Sequence, residues 1–386
     1  MYRSRRPAGA LIACALGAAC ASAPADAIST DGGPGEPSAA ATAPWPADDY
    51  YVIVAAESQD EVSVVRFGPD GGQLVKSVEV GLFLTETDGP HGIAVDPDGS
   101  HWYVSIAHGT PFGQVHRYDV ATDERVGAAV VGLFPASMAV TDGGLLFAVN
   151  FNLHGDPVPS SVSVVDTESM QEIAQIPTCA MPHGARLSAN QTRLYSVCMR
   201  DEQLVELDTR SLAVTRRMYL GPDEERELEA STLEARATLG TNTAEAMATR
   251  CGPTWVQPSP DGRHAYVACN KNREVLEIDL EGWTIARRFE TGPGPYNLDI
   301  TPDGGQLVIT YKGGAAIGVF DLEAGREIAA IQTHRTLPHG VALSSDSRYG
   351  FVSVEGVGGE PGTVEMIDLS SLATVGRVDV GKQAGG

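Results

Sequence analysis

The stretch "PTWVQPSPDGRHAYVACNKNREVLEIDL", residues 253–280, contains the unit on which the whole chain is built. Pro253 opens a short apolar segment, Asp261-Gly262 supplies a turn, and "HAYVAC" follows as a second apolar and aromatic segment. Two such segments flanking an Asp-Gly turn predict a β-hairpin. A third segment, "EVLEID", alternates in the same way and ends on Asp279.

The pattern recurs from Pro90 as "PHGIAVDPDGSHWYVSIA", from Pro135 as "PASMAVTDGGLLFAVNFN" and from Pro182 as "PHGARLSANQTRLYSVCM". It returns at Pro295 as "PYNLDITPDGGQLVITYK" and at Pro338 as "PHGVALSSDSRYGFVSVE". Third strands end at Asp119, Asp166, Asp208, Asp279, Asp321 and Asp368, and a fourth follows each, as in "REIAAIQT". Recurring in every unit, these aspartates read as caps of the turn into the fourth strand. Four strands at a period of roughly 40–45 residues predict an all-β, seven-bladed β-propeller, because such sheets bury both faces only against like neighbours. Residues 50–81 hold three strands of a further blade without an opening one. The missing strand has a candidate in "VGKQAGG", residues 380–386, which would close the first blade from the other end of the chain.

Units of this form, with "HAYVACNKNREVLEIDL" the nearest copy, resemble the YVTN family of bacterial seven-bladed propellers over nearly the whole chain from Tyr50 onward. The resemblance implies the fold and an exported bacterial protein. For function it implies several classes: surface and periplasmic binding proteins, lactonase-like propellers, and relatives that bind haem or copper. No C-x-x-C-H occurs, so a covalently attached c-type haem is not expected. A lactonase-like hydrolase would need acidic or Asn ligands where this chain mostly offers His, Thr and Tyr.

The 386 residues carry a formal net charge of −23, which argues against nucleic acid, since phosphate binding needs clustered Lys and Arg. "MYRSRRP" followed by "AGALIACALGAAC" and the small residues "ASAPADA" reads as a signal peptide over residues 1–27. A lipobox ending at Cys20 or Cys14 would give a periplasmic or cell-envelope lipoprotein, its lipid anchor the only membrane contact expected; cleavage after Ala23 or Ala27 is the alternative. Residues 28–48, rich in Pro, Ala and Gly, read as a flexible tether, and the propeller is expected over residues 49–386.

Three units open with Pro-His-Gly, at His91, His183 and His339, in blades two, four and seven. Inner strands crowd the axis, so these imidazoles are expected at the mouth of the channel. The equivalent positions elsewhere are Ala136, Thr254, Tyr296 and Gly385, and His334, His108 and His154 map to loops on the same face. Three readings compete. The histidines could satisfy backbone groups of the next blade, could bind a small ligand together with Tyr296, Thr254, His108 and His154, or could hold Cu or Zn through His91, His183 and His339. The expected role is a scaffold binding a small ligand or a protein partner through this face, with a metal-dependent enzyme or redox protein as the alternative.

The four cysteines outside the leader map to the same face. Cys179 and Cys251 precede inner strands, while Cys198 and Cys269 end second strands. In an exported chain they predict two disulfides, either 179–251 with 198–269 or 179–198 with 251–269; a Cys/His metal centre is the sharper alternative. The insertion at residues 222–250, between blades four and five, has good helix formers with acidic residues early and predicts a helical lid or docking surface. No G-x-S-x-G elbow supports a catalytic triad.

Overall fold

The computed structural model describes residues 43–83, 85–108, 112–156, 158–233 and 249–386. The expected leader and most of the tether lie outside these residues. Within the segment read as tether, Ala43 is buried and Trp45 stacks on Phe67 at 6.3 Å.

The described residues form strands β1 to β28 in chain order, arranged in seven antiparallel sheets. Five of the blades follow chain order from the axis outward, with inner strands β4 (Pro90–Val95), β8 (Pro135–Val140), β17 (Pro253–Pro258), β21 (Pro295–Ile300) and β25 (Leu337–Leu343). Blade four, opening with β12 (Pro182–Leu187), has a fifth strand.

Blade one is completed from the other end of the chain, as expected. Ala384 bridges Ala56 at the end of β1 (Tyr50–Ala56). Gly385 N–H donates to the Ala55 carbonyl and Ala55 N–H to that of Gly386, both at 3.1 Å. Joining residues 384–386 to β1 in one blade closes the ring.

The core lies between blades. Seven buried clusters each span two adjacent sheets; Tyr195, Val197 and Met218 of blade four, for example, pack on Val256, Val267 and Ile278 of blade five. This arrangement explains why second and third strands read as nearly continuous apolar runs: both faces are covered.

The Asp markers act as read. Asp119 Oδ1 accepts from Ala121 and Thr122 N–H, Asp208 Oδ1 from Arg210 and Ser211, and Asp368 Oδ1 from Ser370 and Ser371. Each turn then passes through a left-handed residue four places after the Asp; Asp123, Leu212 and Leu372 have φ of 57°, 53° and 56°.

One expectation is corrected. Part of the 222–250 insertion is not helical: Arg226–Leu228 forms β16 and pairs with β15 (Ala213–Tyr219) through Arg217↔Leu228 and Tyr219↔Arg226. The outer strand of a blade offers a row of unpaired backbone groups, and satisfying them outweighs local helix propensity. Arg217, buried in the blade, reinforces the pairing by donating from Nε to the Ala230 carbonyl at 2.7 Å. Residues 234–248 of the expected lid lie outside the described residues.

Candidate functional site

Each inner strand begins at the axis, and the histidines of the Pro-His-Gly copies converge there. The His91 ring lies 6.5 Å from that of His183 and 5.8 Å from that of His339. Tyr296 joins them, its ring 4.6 Å from His339 and its hydroxyl 3.2 Å from His183 Nε2. The glycine of the motif has its own cause. A Cβ on Gly184 would meet the Thr254 carbonyl oxygen at 2.6 Å, and one on Gly92 the Ala136 oxygen at 2.8 Å. Neighbouring inner strands approach too closely for a side chain at these positions.

Two of the three imidazoles tie blades together. His183 Nδ1–H donates to the Thr254 carbonyl at 2.9 Å, and His339 Nδ1–H to the Gly385 carbonyl at 2.8 Å, in each case the equivalent residue of the next blade. Thr254 does the same with its hydroxyl, donating to Tyr296 O at 2.6 Å. The backbone-satisfying reading therefore describes His183, His339 and Thr254. Burial keeps both imidazoles neutral: it depresses the His183 pKa to about 3 and that of His339 well below its ordinary value.

His91 is the exception. Its Nδ1–H donates to Glu57 Oε2 at 3.0 Å, and Glu57 Oε1 accepts from His108 Nε2 at 2.9 Å. Burial of Glu57 opposes ionisation, but the two histidines outweigh it and hold the carboxylate down at about 2, while Glu57 pulls the His108 pKa up. Phe134 fills the space between His91, His108 and His154, with ring centroids 5.4–5.5 Å from each. His334 is not drawn in: its backbone N–H donates to Glu365.

Sequence reasoning missed Glu57, Lys312 and Glu355. Lys312 pairs with Glu355 at 2.7 Å and lies over the Tyr296 ring at 4.6 Å, and Glu355 is 3.7 Å from His339 Nε2. The signal was present: all three stand one residue past the second-strand partner of the opening proline, or of Ala384 in its place, as do Phe151, Met199 and Asn270 in other blades. Aligning that position would have revealed a second polar tier above the histidines.

The histidines stand at a closed end rather than an open mouth. His91, His183 and His339 are 9%, 2% and 4% exposed. Beneath them runs an axial cavity of about 490 Å³ whose lining includes His91, His339, Trp255, Asn297 and Arg186. Exposure rises along β4 and β25 toward the hairpin face, where Val95 is 45% exposed, so the cavity meets solvent at the end opposite the histidines.

The cysteines form Cys179–Cys198 and Cys251–Cys269, with Cα separations of 6.1 and 4.5 Å. Each joins the residues entering an inner strand to the second strand of the same blade, which settles the pairing left open by spacing. A Cys/His metal centre is excluded, because all four thiols are consumed. Among the described residues no group of three His, Cys, Asp or Glu side chains is arranged to hold a metal ion.

Fold and site together define a disulfide-stapled seven-bladed β-propeller with an axial cavity sealed by histidines. No family model matches the chain, and neither does any curated protein. Among solved structures it is similar to a chain of hydrazine synthase from Kuenenia stuttgartiensis, with 21% identity and a TM-score of 0.59 over 78% of this chain and 91% of that one. It is also similar to two candidate 6-phosphogluconolactonases, from Bacteroides uniformis (13% identity, TM-score 0.61, 86% of this chain and 100% of that one) and Bacteroides fragilis (13%, 0.63, 87% and 96%). At these identities the likeness establishes the propeller fold.

Proposed function

We propose that this chain is an exported binding protein that takes a small ligand into its axial cavity against the histidine ring. The observation that carries this reading is the cavity itself: about 490 Å³, apolar along most of its wall, with a few polar groups converging on it. His183 and Thr254 serve the fold and do not line the cavity, so in this reading the ligand meets His91 and His339 at the closed end, with His108, His154 and Tyr296 behind them. The two disulfides support export into an oxidising compartment.

The test is a thermal-shift screen of small acids, amines, alcohols and sugars on the wild-type protein and on Ala139→Phe, which fills the cavity. At least one class is expected to raise Tm of the wild type alone. If every compound leaves both proteins unchanged, or shifts them equally, the reading fails.

One observation favours a second reading, a Cu or Zn site on His91, His183 and His339. Because His183 and His339 each donate Nδ1–H to a carbonyl, each keeps an unprotonated Nε2, the usual state of a metal-ligating imidazole. Elemental analysis of protein purified without a His-tag decides it. Stoichiometric metal that is lost in the triple His→Ala variant supports this reading, and no metal at any loading ends it.

A further inference from the structure

Among the described residues the cavity wall carries a single guanidinium, Arg186, and its surroundings differ from those of two other stacked arginines of the blades, Arg216 and Arg287. Arg216 lies 4.2 Å over Trp283 and Arg287 lies 5.1 Å over Phe289. Both are fully engaged. Arg216 holds Glu206 at 2.5 Å and donates to the Leu280 carbonyl, and Arg287 holds Glu277 and the Leu322 carbonyl. Arg186 lies 4.4 Å over Trp255 in the same manner, yet its one hydrogen bond runs from Nη1 to the adjacent Ala185 carbonyl at 3.1 Å. Among the described residues no carboxylate stands within ion-pair distance of it. A half-buried guanidinium with spare donors on the wall of an apolar cavity is the side chain best suited to receive a carboxylate.

Two further observations concern the same part of the wall. Trp255 also lines the cavity and is 8% exposed, and its indole N–H has no hydrogen-bond partner. Buried donors of this kind are rare unless something outside the chain accepts from them. The repeat supplies the rest. At the fourth residue after the opening proline, blades four and six carry Arg186 and Asp299, while blades two, three and seven carry Ala94, Ala139 and Ala342. Asp299 acts on Arg186 only through space; its oxygens accept from the Ile300 and Leu343 N–H groups. One side of the axis is thus charged, and the other is small and apolar. This level stands three strand steps from the histidine ring, roughly 10 Å, and the wall between includes Ile93, Met138 and Val341.

We propose that the ligand is a monocarboxylate with an apolar body, its carboxylate held by Arg186 and the Trp255 indole N–H and its body extending along the cavity toward His91 and His339. This rests on the reading of the cavity as a binding site and adds the chemical class. Length follows from geometry: a chain of about six to eight carbons, or an aryl group on a short linker, fills the distance at strand spacing.

The experiment is calorimetric titration of the intact protein with butanoate, hexanoate, octanoate and phenylacetate, each beside its primary amide. At least one carboxylate is expected to bind tenfold or more tighter than its amide. Arg186→Gln is expected to abolish that preference and Arg186→Lys to retain part of it, while Asp299→Asn, which removes a nearby like charge, tightens carboxylate binding several-fold. Unchanged circular dichroism and Tm confirm that the variants fold, and Trp255→Phe identifies which tryptophan reports occupancy by fluorescence. Amides binding as well as acids, or a preference that survives Arg186→Gln, overturns the carboxylate assignment and leaves the cavity reading standing. No binding by any acid or amide in a correctly folded wild type overturns the assignment, and the thermal-shift screen then decides whether the cavity reading falls with it.

Discussion

His91 Nδ1 lies 3.0 Å from Glu57 Oε2, whereas the same nitrogen of His183 and His339 holds a carbonyl of the following blade. One copy of a repeated motif has been turned from a structural partner to a charged one. Glu57 in turn brings in His108, giving a buried carboxylate flanked by two imidazoles.

That cluster gives stability a defined pH window. Glu57 is held at about 2, below its ordinary 4.5, so its contribution is present above pH 4.5 and is lost as pH falls toward 2. His108 is raised above 6.5, so its contribution is complete below pH 6.5 and fades as pH rises through its folded pKa. Both act between pH 4.5 and 6.5. Glu57→Gln is expected to cost about 2 kcal/mol at pH 5.5 and to flatten the profile on both sides. Urea unfolding from pH 3 to 8 measures this; a variant matching wild type at pH 5.5 would contradict it.

His183 works in the opposite sense to Glu57's other partner, His108. Its folded pKa is depressed to about 3 by burial, so the unfolded chain binds a proton below pH 6.5 that the folded chain refuses. Stability contributed by neutral His183 is therefore lost progressively as pH falls from 6.5 toward 3. In His183→Gln the acid limb should lose about one proton's slope, ~1.4 kcal/mol per pH unit. A limb as steep as wild type would show that another group carries the titration.

Glycines at the axis and in the hairpins should respond differently to alanine. Gly184 faces backbone and the Trp255 ring at 2.5–2.7 Å, so Gly184→Ala forces two inner strands apart, at a cost of about 3 kcal/mol. Gly99 has φ of +71° and open space around it, so Gly99→Ala carries only the left-handed penalty, about 1 kcal/mol. Equal losses of Tm would refute the close-approach account.

Peptide mapping under non-reducing conditions should recover Cys179 linked to Cys198 and Cys251 linked to Cys269. Each bond closes a loop of fewer than twenty residues, for which chain entropy alone gives about 3 kcal/mol. The double variant Cys198→Ser with Cys269→Ser should lower the urea midpoint beyond the reach of reductant to lower it further. Any 179–251 linkage would invalidate the blade-internal assignment.

Much of the molecule was legible because its signals are local and repeated. Asp-Gly turns, Asp-capped fourth strands and alternating apolar segments are decided within a few residues, and their period required blades that bury both faces. Repeat register also brought His91, His183 and His339 to one axis and found the closing strand at Ala384–Gly386. Tertiary structure decided what sequence spacing left open. It made the histidine end the sealed end, because strands converging on an axis leave no room there for solvent. It turned Arg226–Leu228 from helix to strand, because an exposed sheet edge outweighs local propensity. It paired Glu57 with His91 and left Arg186 without an ion-pair partner among the described residues, because those distances arise only when the blades pack side by side around the channel.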